Sequence, residues 1–444
     1  MTEEAESAAQ PAPAETKKSA AVRPRAPAVV RALRHRNFRL FFGGQFISLI
    51  GTWMQMIAQS WLVYRLTGSS LLLGTVGFVG QIPVFLLAPV AGIVADRFPR
   101  HRIVIATQTA SMFLAFILAG LTLAGIVQVW HIMVLAALLG VVNAFDVPAR
   151  QAFLVEMVGK EDLMNAIALN SSMFNGARMV GPAVAGIFVA AVGEGWCFFA
   201  NAVSYIAVIA GLLLMKLQPP RARGYAGSAL EDIAEGFRFV RRTSPIRALL
   251  LMVGVVSMVA MPYTVLMPVF ADTILHGGAR GLGLLMGAVG VGALAGALTL
   301  ASRAGVTGLG RWVALASAGF GASLISFSLS RAFWLSMPLL VASGFAMMLQ
   351  MGASNTLIQA MVPDRLRGRV MSVYSMMFMG MAPIGALLAG AVAHRIGAPV
   401  TVTIGGIVCL VSSGIFSLRL PGLRAEARQL IRDNGIVAGD PRET

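Results

Sequence analysis

Charge is scarce in this chain. Only 12% of its 444 residues are Asp, Glu, Lys or Arg, and 57% are hydrophobic; soluble globular domains carry about 25% charged and about 45–50% apolar residues. The deficit runs through the body of the sequence, which excludes an ordinary soluble fold and points to a membrane protein of many spans. Cysteine is nearly absent. Cys197 and Cys409 are the only two, far apart and each inside an apolar run, so they offer neither a disulfide framework nor a metal cluster. They read as small buried hydrophobes. The five histidines are scattered, and no H-E-x-x-H pair or G-x-S-x-G elbow occurs. None of the four lysines sits in a G-x-x-x-x-G-K-[ST] loop, which argues against an ATP-driven pump. GVGALA (Gly290 to Ala295) superficially fits a dinucleotide fingerprint, but it lies in an apolar run with no strand before it and reads as close helix packing. No enzyme chemistry, metal or cofactor is expected.

What is present is a series of long apolar runs. A helix needs roughly 20 residues to cross the hydrocarbon core. Runs near that length occur at 38–64, 71–95, 103–125, 129–148, 164–192, 196–216, 247–271, 281–302, 311–330, 333–355, 370–393 and 398–419, numbered here as spans 1 to 12. The fold class expected is all-α and integral to the membrane. Helices are required because each backbone group must find its partner within its own span. The net charge of +16 invites a nucleic-acid reading, but the basic residues sit in short loops, where they orient the chain in the bilayer. Thirty of the 35 fall in the tails, the even-numbered loops and their borders. Arg65, Arg280, Arg331 and Arg395 fall in odd-numbered loops, and Arg178 alone lies well inside a span. Both termini are therefore expected in the cytoplasm. Residues 1–35 read as a disordered tail rich in Ala, Pro, Glu and Lys, and no cleavable signal peptide is seen. Residues 420–444 read as a polar tail with one short surface helix through RAEARQLIRD.

The chain repeats itself. Residues 151–193 align without a gap on residues 355–397, at an offset of 204. The identical pairs include Met157/Met361, Ser171/Ser375, Phe174/Phe378, Gly176/Gly380, Gly181/Gly385, Gly186/Gly390 and Gly193/Gly397. Span 5 thus corresponds to span 11. Two parallel six-helix bundles are expected, at 36–216 and 247–419, joined by a cytoplasmic loop at 217–246. Repeats of this kind are a transporter architecture, with the substrate site between the halves near the bilayer midplane.

Polar residues inside spans mark protein-facing or water-facing surfaces. In span 1, Gln45, Ser48, Thr52, Gln55 and Gln59 recur at three, four, three, four, one stripe on an apolar helix. Met347, Gln350 and Ser354 continue a similar line from Ser343 in span 10. With Trp53 and Tyr263 as stacking partners, these are the candidate substrate-cavity residues; helix–helix packing is the competing reading. Arg178 shares a face with Ser171, Asn175 and Pro182, and an intramembrane arginine marks an interior face. Asp146 is the nearest acid in chain order on a neighbouring span. It is the candidate proton carrier, with Arg150 or Arg178 biasing its acidity; an ordinary ion pair holding spans 4 and 5 together is the alternative.

Three motifs carry a family resemblance. The first is GIVADRFPRHR between spans 2 and 3, with Gly92, Asp96, Arg97, Arg100 and Arg102. The second is FDVPARQAF (Phe145 to Phe153) at the end of span 4. The third is ARMVGPAVAG (Ala177 to Gly186) in span 5, with Gly181, Pro182 and Gly186 and, just before it, Asn175. Over about residues 35–419 the chain resembles twelve-span transporters of the major facilitator superfamily, most closely the bacterial exporter branch that includes macrolide-efflux and enterobactin-export proteins. That resemblance implies a drug–proton antiporter of the bacterial inner membrane. Its partners would be a small amphipathic molecule, protons and the bilayer, with no nucleic acid and usually as a monomer. It also implies a cytoplasmic gate in which Asp96 meets the start of span 11 at Arg367, Gly368 and Arg369. Arg100 and Arg102 are read as topology anchors. An importer of the same fold and a passive channel stay open as alternatives.

Overall fold

The computed structural model describes residues 28–159, 161–217, 229–303 and 305–433. Among these, twelve helices are long and apolar enough to cross a membrane, and no strand occurs. Spans 1 to 6 are Arg36–Thr67, Ser70–Arg97, Arg100–Leu123, Val129–Val158, Leu163–Val192 and Glu194–Leu213. Spans 7 to 12 are Ser244–Ile274, Gly278–Ala301, Leu309–Leu329, Phe333–Met361, Asp364–Ile396 and Ala398–Asp433. Large apolar side chains stand exposed along their outer faces, among them Leu86, Phe113, Trp334 and Leu418. In water such a surface would drive association; in a bilayer it is the lipid contact.

Each half is held by its own helix pairs. Span 1 packs on spans 5 and 6, span 3 on spans 4 and 6, and span 2 on span 4. In the second half, span 10 packs on spans 8 and 9, and span 9 on span 12. The two halves meet along span 5 with span 8 and span 2 with span 11. The 204-residue repeat is visible in these contacts. Gly193 and Gly397 end spans 5 and 11 with the same φ of 88°, a left-handed conformation that glycine adopts without a Cβ penalty. Gly181 packs on Trp53 of span 1, and its counterpart Gly385 packs on Met258 and Pro262 of span 7. Gly186 touches Gly283 of span 8, and its counterpart Gly390 touches Gly74 of span 2.

Span 7 is not a regular helix. The α-helix Ser244–Val255 passes into a π segment at Val256–Ala260, a 3-10 turn at Met261–Thr264 and a second π segment at Phe270–Ile274. Pro262 and Pro268 explain the break, since each removes an N–H and its ring crowds the preceding turn. Span 11 carries a π segment at Met376–Gly380.

Three expectations at the ends of the bundles need correction. The tail over 1–35 is helical at its end: Ala28–Arg34 forms a 3-10 segment strapped to the start of span 5. Arg31 Nε and Arg34 Nη2 lie 2.8 and 2.7 Å from the Asp162 carboxylate, with His35 Nε2 at 2.7 Å, and the Ala32 N–H donates to Asn165 Oδ1 at 2.7 Å. The hydrogen bond with His35, and then the charges of Arg34 and Arg31, hold the Asp162 carboxyl below the usual carboxylate range against the opposing effect of burial. The loop at 217–246 contains a helix, Ala229–Arg242, called here the connector helix; it rests on the first turns of span 11. The polar tail at 420–444 is not separate at its start, because span 12 continues unbroken past Pro421 to Asp433. The rest of the expected tails, 1–27 and 434–444, and 218–228 of the loop lie outside the described residues.

Candidate functional site: the interface between the halves

The contacts between the halves cluster at one end. Ser70 Oγ donates to the Gly390 carbonyl at 3.3 Å, and a Cβ built on Gly74 would lie 2.9 Å from the Gly390 Cα. A Cβ on Gly186 would lie 2.7 Å from the Gly283 Cα. The Tyr64 and Thr273 hydroxyls are 2.5 Å apart. Small residues allow this approach of backbone to backbone. Arg65 at the end of span 1 is paired with Glu194 at the start of span 6 through two bonds of 2.7 and 3.2 Å, bracing the same end. Contact continues to mid-span, where Phe85 packs on Gly380 and the Arg178 carbonyl backs onto Gly290.

At the other end the halves part. Asp96 does not meet span 11. Its carboxylate is 44% exposed and accepts from Arg100 Nη2 at 3.4 Å. Arg367 is paired with Asp364 at 2.6 Å, and Arg369 with Glu235 of the connector helix. Gly92 and Gly368 each face open space, with nothing near a built Cβ. Arg97 and Arg102 are exposed. The expected gate residues therefore fall into two groups, one at the ends of spans 2 and 3 and one at the start of span 11, each with partners in its own half. Arg100 is more than a topology anchor. Besides Asp96 it donates to the carbonyls of Ala95 and Ala152 at 3.3 and 3.2 Å and to Glu156 at 3.1 Å, tying together spans 2, 3 and 4. Glu235, the partner of Arg369, is a residue that the sequence reading does not include. The signal for it is the apolar spacing of Leu230, Ile233, Phe237 and Val240, the i, i+3, i+7 pattern of an amphipathic helix.

Asp146 is buried, 3% exposed. Its Oδ1 accepts from Thr107 Oγ1 at 2.8 Å and Gln108 Nε2 at 2.9 Å, and its Oδ2 is 3.3 Å from Arg150 Nη2. The partner is thus Arg150, not Arg178, and the group joins span 4 to span 3 rather than to span 5. Arg178 lies half-buried at mid-span. Its Nη2 donates to Asn175 Oδ1 at 3.0 Å and lies 3.9 Å from Met348 Sδ in span 10. An arginine at the centre of a span costs about 2.5–3.5 kcal/mol on insertion scales, so this residue is held there by something the fold gains.

The candidate cavity residues divide. Gln45 and Gln55 are buried inside the first half, where Gln55 Oε1 accepts from Asn201 Nδ2 of span 6 at 2.7 Å. Tyr263, Met347, Gln350 and Ser354 are buried inside the second half; the Ser343 hydroxyl donates weakly to Tyr263 at 3.5 Å. Trp53 stacks edge-on to Phe174 with ring centroids 5.7 Å apart. Thr52 and Gln59 keep solvent contact. Most of the span 1 stripe therefore serves helix packing, a role with the same polar periodicity as a cavity wall. Among the described residues no group of His, Cys, Asp and Glu could hold a metal.

Residues 28–435 match the sequence profile of a family described as transmembrane secretion effector. The chain is 28% identical over 387 residues to the staphyloferrin A transporter of Staphylococcus aureus, covering 85% of this chain and 95% of that protein. It is 24% identical over 395 residues to macrolide efflux protein A of Streptococcus pyogenes, covering 82% and 92%. Its fold is similar to the crystal structure of a mutant of the nucleoside transporter NupG, with a TM-score of 0.67 at 12% identity over 87% of this chain and 99% of that one.

Proposed function

Since the chain belongs to the transmembrane secretion effector family of the major facilitator superfamily, a family of multi-pass bacterial inner-membrane transporters and not of enzymes, we propose that it exports amphipathic small molecules in exchange for protons. The observation that carries the mechanism is the asymmetry between the two ends: the halves touch from Ser70 to mid-span and part at Asp96. On the distribution of Lys and Arg, the Asp96 end faces the cytoplasm. The state described is then the inward-open one, with bundles 36–216 and 247–419 ready to rock about a midplane site.

Closure at the cytoplasmic rim exchanges one clasp for another. In the inward-open state Glu235 holds Arg369 and Arg100 holds Asp96. In the outward-open state Asp96 reaches the start of span 11, where Arg367 and Arg369 flank Gly368. A carboxylate at a helix N-terminus gains about 0.3–1 kcal/mol, small enough to be reversed in each cycle. Asp146 carries the proton. In the described state it is paired with Arg150, and taking up the proton removes the charge that holds this pair. The relatives, named for staphyloferrin A and macrolides, support a cargo larger than an inorganic ion.

The test is transport by purified protein in liposomes with an acidic lumen, using rhodamine dyes and labelled erythromycin as probes. Probe is expected to accumulate inside as protons leave, and an ionophore that collapses the pH difference should abolish the accumulation. Movement down the probe's own gradient that ignores the pH difference would contradict antiport.

A further inference from the structure

We propose that Arg178 anchors an anionic group of the cargo, so that this protein exports compounds bearing a carboxylate. The proposal rests on the export reading and adds the chemical class of what is carried.

The first argument is position. Arg178 sits at mid-span, where the halves cease to touch: its carbonyl backs onto Gly290 of span 8 and its guanidinium reaches Met348 of span 10. It thus belongs to one half and contacts the other at mid-span. The second is charge. Among the described residues no carboxylate comes within ion-pair distance of Arg178. Asp146 is held by Arg150, Asp162 by the N-terminal strap, Glu194 by Arg65 and Glu235 by Arg369. The neutral Asn175 amide is its hydrogen-bond partner, and the titratable group within its electrostatic reach is the Tyr263 phenol. The third is access. Nε and Nη1 have no hydrogen-bond partner among the described residues and are not fully enclosed, so these donors are unused in a half-buried position.

The protein's bracing arginines look different. Arg65 is bound by two bonds to Glu194, and Arg100 makes four contacts across three spans. An intramembrane guanidinium with unused donors presents the planar fork that pairs with a carboxylate through two parallel bonds. Met348 beside it gives an adaptable apolar wall, which suits the apolar body of an amphipathic acid.

The matched probes are rhodamine B, whose carboxylate is free, and rhodamine 6G, a close relative whose carboxyl is esterified. In the liposome assay the wild type should favour rhodamine B. Arg178→Gln should lower rhodamine B uptake by about tenfold or more, the equivalent of about 1.4 kcal/mol, and leave rhodamine 6G uptake unchanged. Arg178→Lys, which keeps the charge and loses the fork, should fall between. A parallel loss of both dyes in a variant that elutes as folded protein would overturn the anion anchor and leave export standing. So would wild-type protein that moves rhodamine 6G and ignores rhodamine B. A wild type that moves neither dye under a pH difference would remove the export reading, and this proposal with it.

Discussion

Replacing Asp146 by Asn should abolish pH-driven accumulation of substrate and leave equilibrium binding of that substrate unchanged. The substitution is close to isosteric. An asparagine Oδ1 can still accept from Thr107 and Gln108, which now bond the carboxylate at 2.8 and 2.9 Å. What is lost is the titratable proton and the counter-charge of Arg150 at 3.3 Å. Stability should fall by the cost of a buried donor left unpaired, about 1–3 kcal/mol. The larger penalty of a stranded charge does not apply in full, because the Arg150 side chain keeps 22% of its surface exposed. Thermal melting and transport separate the two roles of the group. A variant that melts lower yet still couples to the pH difference would make Asp146 a brace between spans 3 and 4 and reject it as the proton carrier.

Gly283→Val should stall the cycle by wedging the closed end apart. A Cβ on Gly283 would lie 2.5 Å from the Gly186 Cα and 2.7 Å from the Pro182 carbonyl oxygen. Both are backbone atoms, so no rotamer change relieves the clash and the helices themselves must separate. Overpacking of this kind costs about 1–3 kcal/mol. Because the contact exists between the halves, that energy falls on the conformation described, the proposed inward-open state, and should shift the two-state balance by about 5–150-fold. Transport should collapse in protein that still folds. Ser70→Cys, buried at the same end between spans 2 and 11, reports the shift: its thiol should be alkylated rapidly in the Gly283→Val background and slowly without it. Equal rates would show that the span 5 to span 8 contact does not seal this end.

The membrane fold is legible in the sequence because its causes are local. Twelve runs of apolar residues, with charge between them, leave the chain few other solutions in lipid. The repeat is legible because glycine contacts tolerate no substitute: Gly181, Gly186 and Gly193 do the same work in span 5 as Gly385, Gly390 and Gly397 in span 11. Partner choice is not legible. The stripe of Gln45, Ser48 and Gln55 identifies a protein-facing side of span 1, and nothing in its spacing can say that Asn201 of span 6, rather than cargo, takes the hydrogen bond of Gln55. Order in the chain offers Asp146 either Arg150 or Arg178; the fold pairs it with Arg150 of its own helix and adds two donors from span 3 that the sequence does not announce. The sequence brings Asp96 to the start of span 11, whereas in the structure Arg369 is paired with Glu235, which sits in a helix that an expected loop conceals.

The account turns on the exchange of clasps at the Asp96 end. The direct test is a distance distribution between spin labels at Phe98→Cys and Ser372→Cys, exposed positions one on each half, in protein whose own cysteines, Cys197 and Cys409, are both buried. Wild type should show a long distance and, during turnover, a second and shorter one. Glu235→Gln should raise the short population without substrate, and Asp96→Asn should erase it. A single long distance under every condition would contradict the account.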